Sequence, residues 1–216
     1  MPLNIDHYRL SLRSSSTVGG RLLLRLPRRR VNDGEIITIM APSGFGKTSF
    51  LLDLAGLIDG DVFMTEGSML LHGIDITALP AWQRRVAYGA QKPVLFPFLN
   101  LRDNLLLAIR QGDKKSKGAL VKRALLDARL AIDDDDVGQR DPSTLSGGEA
   151  ARASLMMLLL SEPRLLLLDE PFAALNKPLR DKMKSFIGKM VRARGLPTIM
   201  VTHQQDDALG RIITLS

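Results

Sequence analysis

Ala41-Pro42-Ser43-Gly44-Phe45-Gly46-Lys47-Thr48 follows the apolar run Glu35-Ile36-Ile37-Thr38-Ile39-Met40 and precedes Ser49-Phe50-Leu51-Leu52-Asp53-Leu54-Ala55. The order reads as strand, glycine loop, helix, which is the context a phosphate-binding loop needs. Gly44 and Gly46 allow a tight turn whose successive N–H groups face one anion. The new helix aims its unpaired N–H groups and positive dipole end at the same point. Ser43, Gly44, Phe45, Gly46, Lys47, Thr48 and Ser49 therefore form a candidate cradle. Lys47 would act as a point charge on the terminal phosphates, and the Thr48 hydroxyl would sit on a magnesium ion held by those phosphates. A glycine turn that happens to precede a lysine is the competing reading. Ala41 stands where the pattern has its first glycine, a substitution that is harmless at negative φ and costs roughly 1–2 kcal/mol at positive φ.

The 216 residues are 45% hydrophobic and 25% charged, enough for one globular domain with a sizeable core and a smaller inserted subdomain. With no cysteine, disulfides, cysteine-ligated zinc and thiol catalysis are excluded. The longest apolar run, Leu155 to Leu160, falls far short of the roughly 20 residues that span a bilayer. The start, Met1-Pro2-Leu3-Asn4-Ile5-Asp6, carries no basic stretch leading into an apolar one, so the expectation is a cytoplasmic protein without a secretion signal. A net charge of +7 admits nucleic acid or an anionic membrane as partner. The basic clusters Arg28-Arg29-Arg30 and Lys114-Lys115-Ser116-Lys117 lack interleaved aromatics, so they read as solvated surface rather than a stacking platform.

Alternating residues 3–13 and the run Arg21 to Leu26 flank a polar Ser14 to Gly20 turn and predict a hairpin-like strand pair. Asn32-Asp33-Gly34 is a turn, Gly67 to Gly73 a further strand, Pro80 to Arg85 a short helix and Val86 to Gly89 a strand that ends just before Gln91. Gln91 at a strand's carboxyl end is placed to meet a metal or a water, or is an ordinary loop amide. Helix-spaced apolar residues follow over Leu101–Arg110, Gly118–Ala131 and Gly148–Ser161, an insertion between strands. Asp133 to Asp136 reads as a solvated loop because adjacent like charges repel. Leu145-Ser146-Gly147-Gly148-Glu149 puts two glycines before a helix, either a second anion-binding start or a simply capped helix. Leu165 to Leu168 is a strand-length apolar run that ends in Asp169-Glu170-Pro171 and suits a parallel strand buried on both faces. Asp169 can reach the magnesium there, and Glu170 can orient or deprotonate a water; two acids closing a buried strand is the alternative. Pro178 to Arg194 reads as a helix and Thr198 to Val201 as another buried strand. His203 beyond it either caps a short helix or hydrogen-bonds a terminal phosphate.

In this order the pieces resemble the ATP-binding subunit of an ABC transporter over nearly the whole chain. Ala41–Thr48 looks like the Walker A loop, Gln91 the Q-loop glutamine and Leu145–Glu149 the signature carrying Ser146, Gly147 and Gly148. Leu165–Glu170 looks like Walker B with its catalytic glutamate, Phe172–Asn176 the D-loop and His203 the switch histidine. The resemblance implies an α/β fold: a P-loop NTPase, RecA-like core with a small antiparallel β subdomain (about 1–92 and 162–216) and an inserted helical subdomain (about 93–161). It implies ATP and Mg2+, with Thr48, Gln91 and Asp169 around the metal and Glu170, His203 and Gln91 in catalysis. It also implies a homodimer sandwiching ATP between one chain's Walker A and the other's signature. Transmembrane permease subunits and a solute-binding protein are the implied partners, at the inner face of the cytoplasmic membrane, with no specific nucleic acid. Pro93 to Leu105, with Phe96 and Phe98, is similar to the stretch on which an importer's membrane subunit docks.

The departures are Ala41, Glu149 in place of glutamine, and a D-loop Ala173-Ala174-Leu175-Asn176. The family also stacks adenine on an aromatic residue after the first strand; Leu12-Arg13-Ser14 offers none, and Tyr8 sits too early. Two alternatives stand beside the transporter reading: a soluble ATPase of this family acting on nucleic acid or ribosomes, motivated by charge, and a subunit that binds ATP without useful turnover, motivated by Ala41, Asn176 and the missing aromatic. Within the transporter reading, exporter-type and lipoprotein-release ATPases are the alternatives to an importer. The solute is not readable from the chain.

Overall fold

In chain order the elements are β1 (Leu3–Leu12), β2 (Arg21–Leu26), β3 (Arg29–Val31), β4 (Ile36–Met40), α1 (Lys47–Ala55), β5 (Phe63–Leu71), β6 (Ile74–Asp75), α2 (Ala81–Arg84), β7 (Val86–Gly89), α3 (Leu101–Ala108), α4 (Lys114–Asp127), α5 (Gly147–Leu160), β8 (Leu165–Asp169), α6 (Lys177–Arg194), β9 (Thr198–Thr202) and β10 (Arg211–Thr214). They come from a computed structural model that describes residues 2–13, 20–130 and 137–215. The Ser14–Gly19 part of the expected turn and the Asp133–Asp136 run lie outside the described residues. Two compact units result: Met1–Tyr88 with Arg164–Glu170 and Lys184–Ser216, and Gly89–Pro163 with Pro171–Met183.

The first unit holds two sheets. In one, β1 is central and antiparallel to β2, β3 and β5, with β6 beyond β5. The other has the order β10-β4-β9-β8-β7, and β10, β4, β9 and β8 run parallel. Strands covered on both faces need apolar residues at every position rather than at alternate ones. Leu165 to Leu168 and Ile199 to Val201 meet that demand, each at most 1% exposed. One core joins the sheets and α1, with Leu10, Leu26, Phe50, Leu54, Leu167 and Val201 at its centre.

The second unit packs α3, α4 and α5 on one another. Its helix starts are fixed by side chains that accept the first free N–H groups: Asn100 from Asp103 N, Asp113 from Ser116 N and Ser146 from Glu149 N. Such caps contribute about 1 kcal/mol each. They correct two boundaries. α4 begins at Lys114, four residues before the expected Gly118, because Asp113 caps it; α5 begins at Gly147, so the two glycines lie inside its first turn and Ser146 is the cap. Asn104, fully buried on α3, accepts from Phe96 N and donates to the carbonyls of Phe96, Leu99 and Asn100. One amide thus fixes the loop that carries Phe96 and Phe98, whose ring centroids lie 5.7 Å apart.

Further differences from expectation are small strands with polar composition. Arg29–Val31 pairs with Leu3–Ile5, so part of the Arg28–Arg30 cluster lies in a strand that was not expected, with Arg30 exposed. β5 starts at Phe63, β6 adds two residues, and β10 closes the edge of the parallel sheet beside β4.

Candidate functional site

Parallel pairing brings three carboxyl ends to one edge of the first unit's sheet. Met40 lies opposite Thr202, and Asp169 opposite Val201, so the chain leaves β4, β8 and β9 side by side. Ligands gather at such edges. Ala41 is buried and is not among the residues with positive φ, so its methyl is accommodated and the first-glycine substitution carries no strain. The loop then turns through Gly44 (φ 85°) and Gly46 (φ 77°), left-handed positions that favour glycine. A Cβ at Gly44 would meet nothing within 4 Å, so the loop opens outward there, whereas at Gly46 it would come within 3.1 Å of Leu10 and Leu23.

Lys47 opens α1 and is buried, with Nζ donating to Ala41 O at 2.6 Å and Pro42 O at 2.9 Å. The ammonium is centred on the loop it must serve, its charge met by carbonyls that an anion can replace. Asp169 is 5% exposed. Burial pushes its carboxyl up, while hydrogen bonds from Thr48 and Tyr88 pull it back down, the neighbouring Glu170 charge raises it and Lys47 lowers it. Tyr88 Oη donates to Asp169 Oδ2 at 3.2 Å. Burial, followed by the Asp169 charge, pushes the Tyr88 phenol up to about 12, so it stays a donor. The touching Thr48 hydroxyl and Asp169 carboxylate are the hard oxygens that magnesium takes. No group of three or more His, Cys, Asp or Glu among the described residues makes a self-contained metal site. The donor set therefore fits a magnesium ion that draws its other ligands from phosphate and water.

Glu170 has φ 47°, a left-handed conformation that costs a non-glycine residue energy and tends to mark functional positions. Its N–H is tied to Val201 O, and its Oε1 lies 2.7 Å from His203 Nδ1. His203 is about half exposed and does not cap the short turn Gln205–Asp207, whose cap position is Gln204.

Gln91, Ser146, Gly147 and Gly148 belong to the second unit. Gln91 lies in the exposed loop after β7. Ser146 and Glu149 form a reciprocal capping box: Ser146 N donates to Glu149 Oε2 at 2.8 Å, and Glu149 N to Ser146 Oγ at 3.3 Å. That leaves the N–H groups of Gly147 and Gly148 as donors, with open space at the Gly147 Cβ position. A Cβ on Gly148 would come within 3.1 Å of Leu179, so glycine there lets α5 pack against the start of α6. Sequence reasoning missed Tyr88 and also Arg140, whose Nη1 donates to Glu149 Oε1 at 2.9 Å. Tyr88 could have been suspected only from its place at the end of a short strand, and Arg140 only from the acid that replaces glutamine at position 149.

Residues 27–173 match the ABC transporter family. The chain belongs to that family. The cassette is 34% identical over 210 residues to the spermidine/putrescine import ATP-binding protein PotA of Pasteurella multocida, covering 95% of this chain and 55% of that protein. It is 36% identical to the uncharacterized ABC transporter ATP-binding protein YnjD of Escherichia coli, covering 85% and 87% respectively. It thus spans about half the length of the import subunits it matches and most of YnjD. The dimeric structure of MJ0796, a bacterial ABC transporter cassette, superposes with TM-score 0.82 over 99% of this chain and 94% of that one at 23% identity, which establishes the P-loop NTPase fold with its mixed sheets and helices. Among the described residues no helix of the cassette is long and apolar enough to cross a membrane.

Proposed function

We propose that this cassette binds and hydrolyses ATP with Mg2+ as the energy-supplying subunit of an ABC importer, working as a head-to-tail pair docked on transmembrane permease subunits at the inner face of the membrane and served by a solute-binding protein. The observation that carries the reading is the convergence of Lys47, Thr48, Asp169, Glu170 and the His203 contact at one sheet edge. The family match and the import role named for PotA support it, and favour it over a soluble ATPase acting on nucleic acid. The binding-only alternative loses one of its three motives with the unstrained Ala41.

In this reading Ser43 to Ser49 wrap the phosphates with backbone N–H groups, and Lys47 exchanges the Ala41 and Pro42 carbonyls for phosphate oxygens. Thr48 and Asp169 would hold the magnesium, and the ion when bound neutralises phosphate charge and aligns the terminal group. Glu170 accepts the proton of the attacking water, and His203 holds that carboxylate and hydrogen-bonds the departing phosphate. Ser146, Gly147 and Gly148 of a second copy close over the same triphosphate. ATP is then the adhesive between copies and its cleavage releases them. The docking face is the second unit's Phe96 and Phe98, the latter 79% exposed, with a neighbouring cleft of about 480 Å³ between Leu99, Leu106, Leu107 and Lys114.

Sizing chromatography with light scattering on the Glu170→Gln variant tests the sandwich. A dimer that appears only with ATP is expected, and a monomer at saturating ATP and magnesium would overturn it. Tyr88→Phe removes the hydroxyl that steadies Asp169. It should raise the magnesium needed for half-maximal ATP retention by about tenfold, the lower end for lost partners of metal ligands, with metal-free nucleotide binding unchanged. Equilibrium dialysis against labelled ATP reads both.

A further inference from the structure

The carboxylate of Glu149 poses a problem for the proposed signature contact. It lies in the first turn of α5, beside the Gly147 and Gly148 N–H groups that would receive phosphate. Its hydrogen bond from Ser146 N, with further bonds from Ser146 and Arg140, holds it down to about 2, so it is charged at any pH at which the protein works. A bare carboxylate there would repel the triphosphate and cancel much of the helix dipole's attraction. The structure supplies a counter-charge. Arg140 Nη1 donates to Glu149 Oε1 at 2.9 Å, with both side chains partly buried. Its Nη2 donates to Thr144 O at 3.1 Å, tying the cation to the turn just before the signature. That turn is itself fixed by Asp141, which accepts from Ser143 N and Oγ. Arg140 thus has one face on the charge and one on the backbone that sets its position.

We infer that Arg140 is a positioning residue that neutralises Glu149 and so keeps the first turn of α5 receptive to the triphosphate of a second copy's ATP. The inference rests on the sandwich reading above and deepens it. Glu149 serves as the cap partner of Ser146, and Arg140 shields the phosphate from the charge this entails. A glutamine at 149 could cap the same N–H without charge and would need no such shield.

The test uses the ATP concentration giving half-maximal dimer in the Glu170→Gln parent, followed by light scattering. Adding Arg140→Ala should raise that concentration by about tenfold, equivalent to about 1.4 kcal/mol. The defect should shrink modestly as salt is raised from about 50 to about 500 mM, since screening weakens a repulsion whose carboxylate is only partly buried. Adding Glu149→Gln to the Arg140→Ala protein should restore the parental value, and Arg140→Lys should retain most of it. A purely structural role through Thr144 predicts no rescue by Glu149→Gln. Absence of rescue, or an Arg140→Ala protein indistinguishable from its parent, overturns the inference while leaving the sandwich intact. A parent that never dimerises overturns both.

Discussion

Glu170→Gln is expected to lower ATP turnover by about 10²–10⁴-fold, the range lost with a positioned general base, while nucleotide still binds. The acid is not part of the loop proposed to grip phosphate. It leaves β8 at the sheet edge in a left-handed turn, with its N–H anchored to Val201 O and Oε1 at 2.7 Å from His203. Glutamine keeps the shape and a hydrogen bond to the imidazole but cannot take a proton. The loss should therefore fall on kcat and leave KM near its starting value, the signature of an interaction that matters only in the transition state. His203→Ala should lose much of the same activity. Because the two side chains act as a unit, the double variant should be little worse than the more damaged single one. Phosphate release by the purified protein with the proposed permease subunits measures all three, and a Glu170→Gln protein within a factor of five of wild type would remove Glu170 from the chemistry.

Arg84→Ala is expected to be the most destabilising single change outside the apolar core, by about 3–5 kcal/mol, the loss of several hydrogen bonds from one charged donor at roughly 1.5–3 kcal/mol each, offset in part by relaxation. Arg84 is 6% exposed and donates from Nη1 to Asp53 O and Leu54 O, from Nε to Leu79 O and from Nη2 to Thr77 O. The first two are carbonyls at the C-terminal end of α1, where a cation complements the helix dipole. The same helix end carries Asp53, which accepts from Tyr8 Oη at 2.8 Å. Burial pushes the Asp53 carboxyl up, and the Tyr8 bond and the Arg84 charge pull it back down. Removing the guanidinium leaves four carbonyls without these donors and a buried carboxyl without its cation. At roughly 2–4 °C per kcal/mol for a chain of this size, the melting temperature should fall by about 6–20 °C. Arg84→Met, which keeps the apolar stem, should recover only a minor part. Urea titration checks both, and a shift of the melting temperature below about 2 °C would show that the network contributes nothing. The same network explains why Tyr8 is no candidate for stacking on adenine: it is 1% exposed, bonded to Asp53 and edge-on to Phe50 at 5.0 Å.

The parts of the site that were legible in the chain are those whose meaning is local. A glycine loop between strand and helix, an apolar run ending in Asp169-Glu170 and a histidine closing another buried strand each announce themselves within a few residues. The strands β3 and β10 were not legible. Arg29-Arg30-Val31 lacks strand composition and is held by pairing with Leu3–Ile5, and β10 is an edge strand with mostly exposed side chains held by β4. In both, pairing with a distant neighbour overrides weak local preference. The start of the signature helix was misplaced by one residue, at Gly148 instead of Gly147, for a related reason. Only the reciprocal bonds of Ser146 and Glu149 show where the helix starts.

The sequence alone determined the phosphate loop, the acid pair and the family, because covalent neighbours fix the order of strand, turn and helix and hence which backbone donors face one point. Tertiary structure alone decided that Ala41 is unstrained and that Lys47 rests on its own loop. It also supplied the steadying partners: Tyr88 reaches Asp169 across 81 residues, Arg84 reaches Asp53 across 31, and Arg140 offsets Glu149 from nine residues away. Hydrogen bonds and charge pairs depend on distances of about 3 Å between side chains, and residue order does not encode such distances until the core has packed.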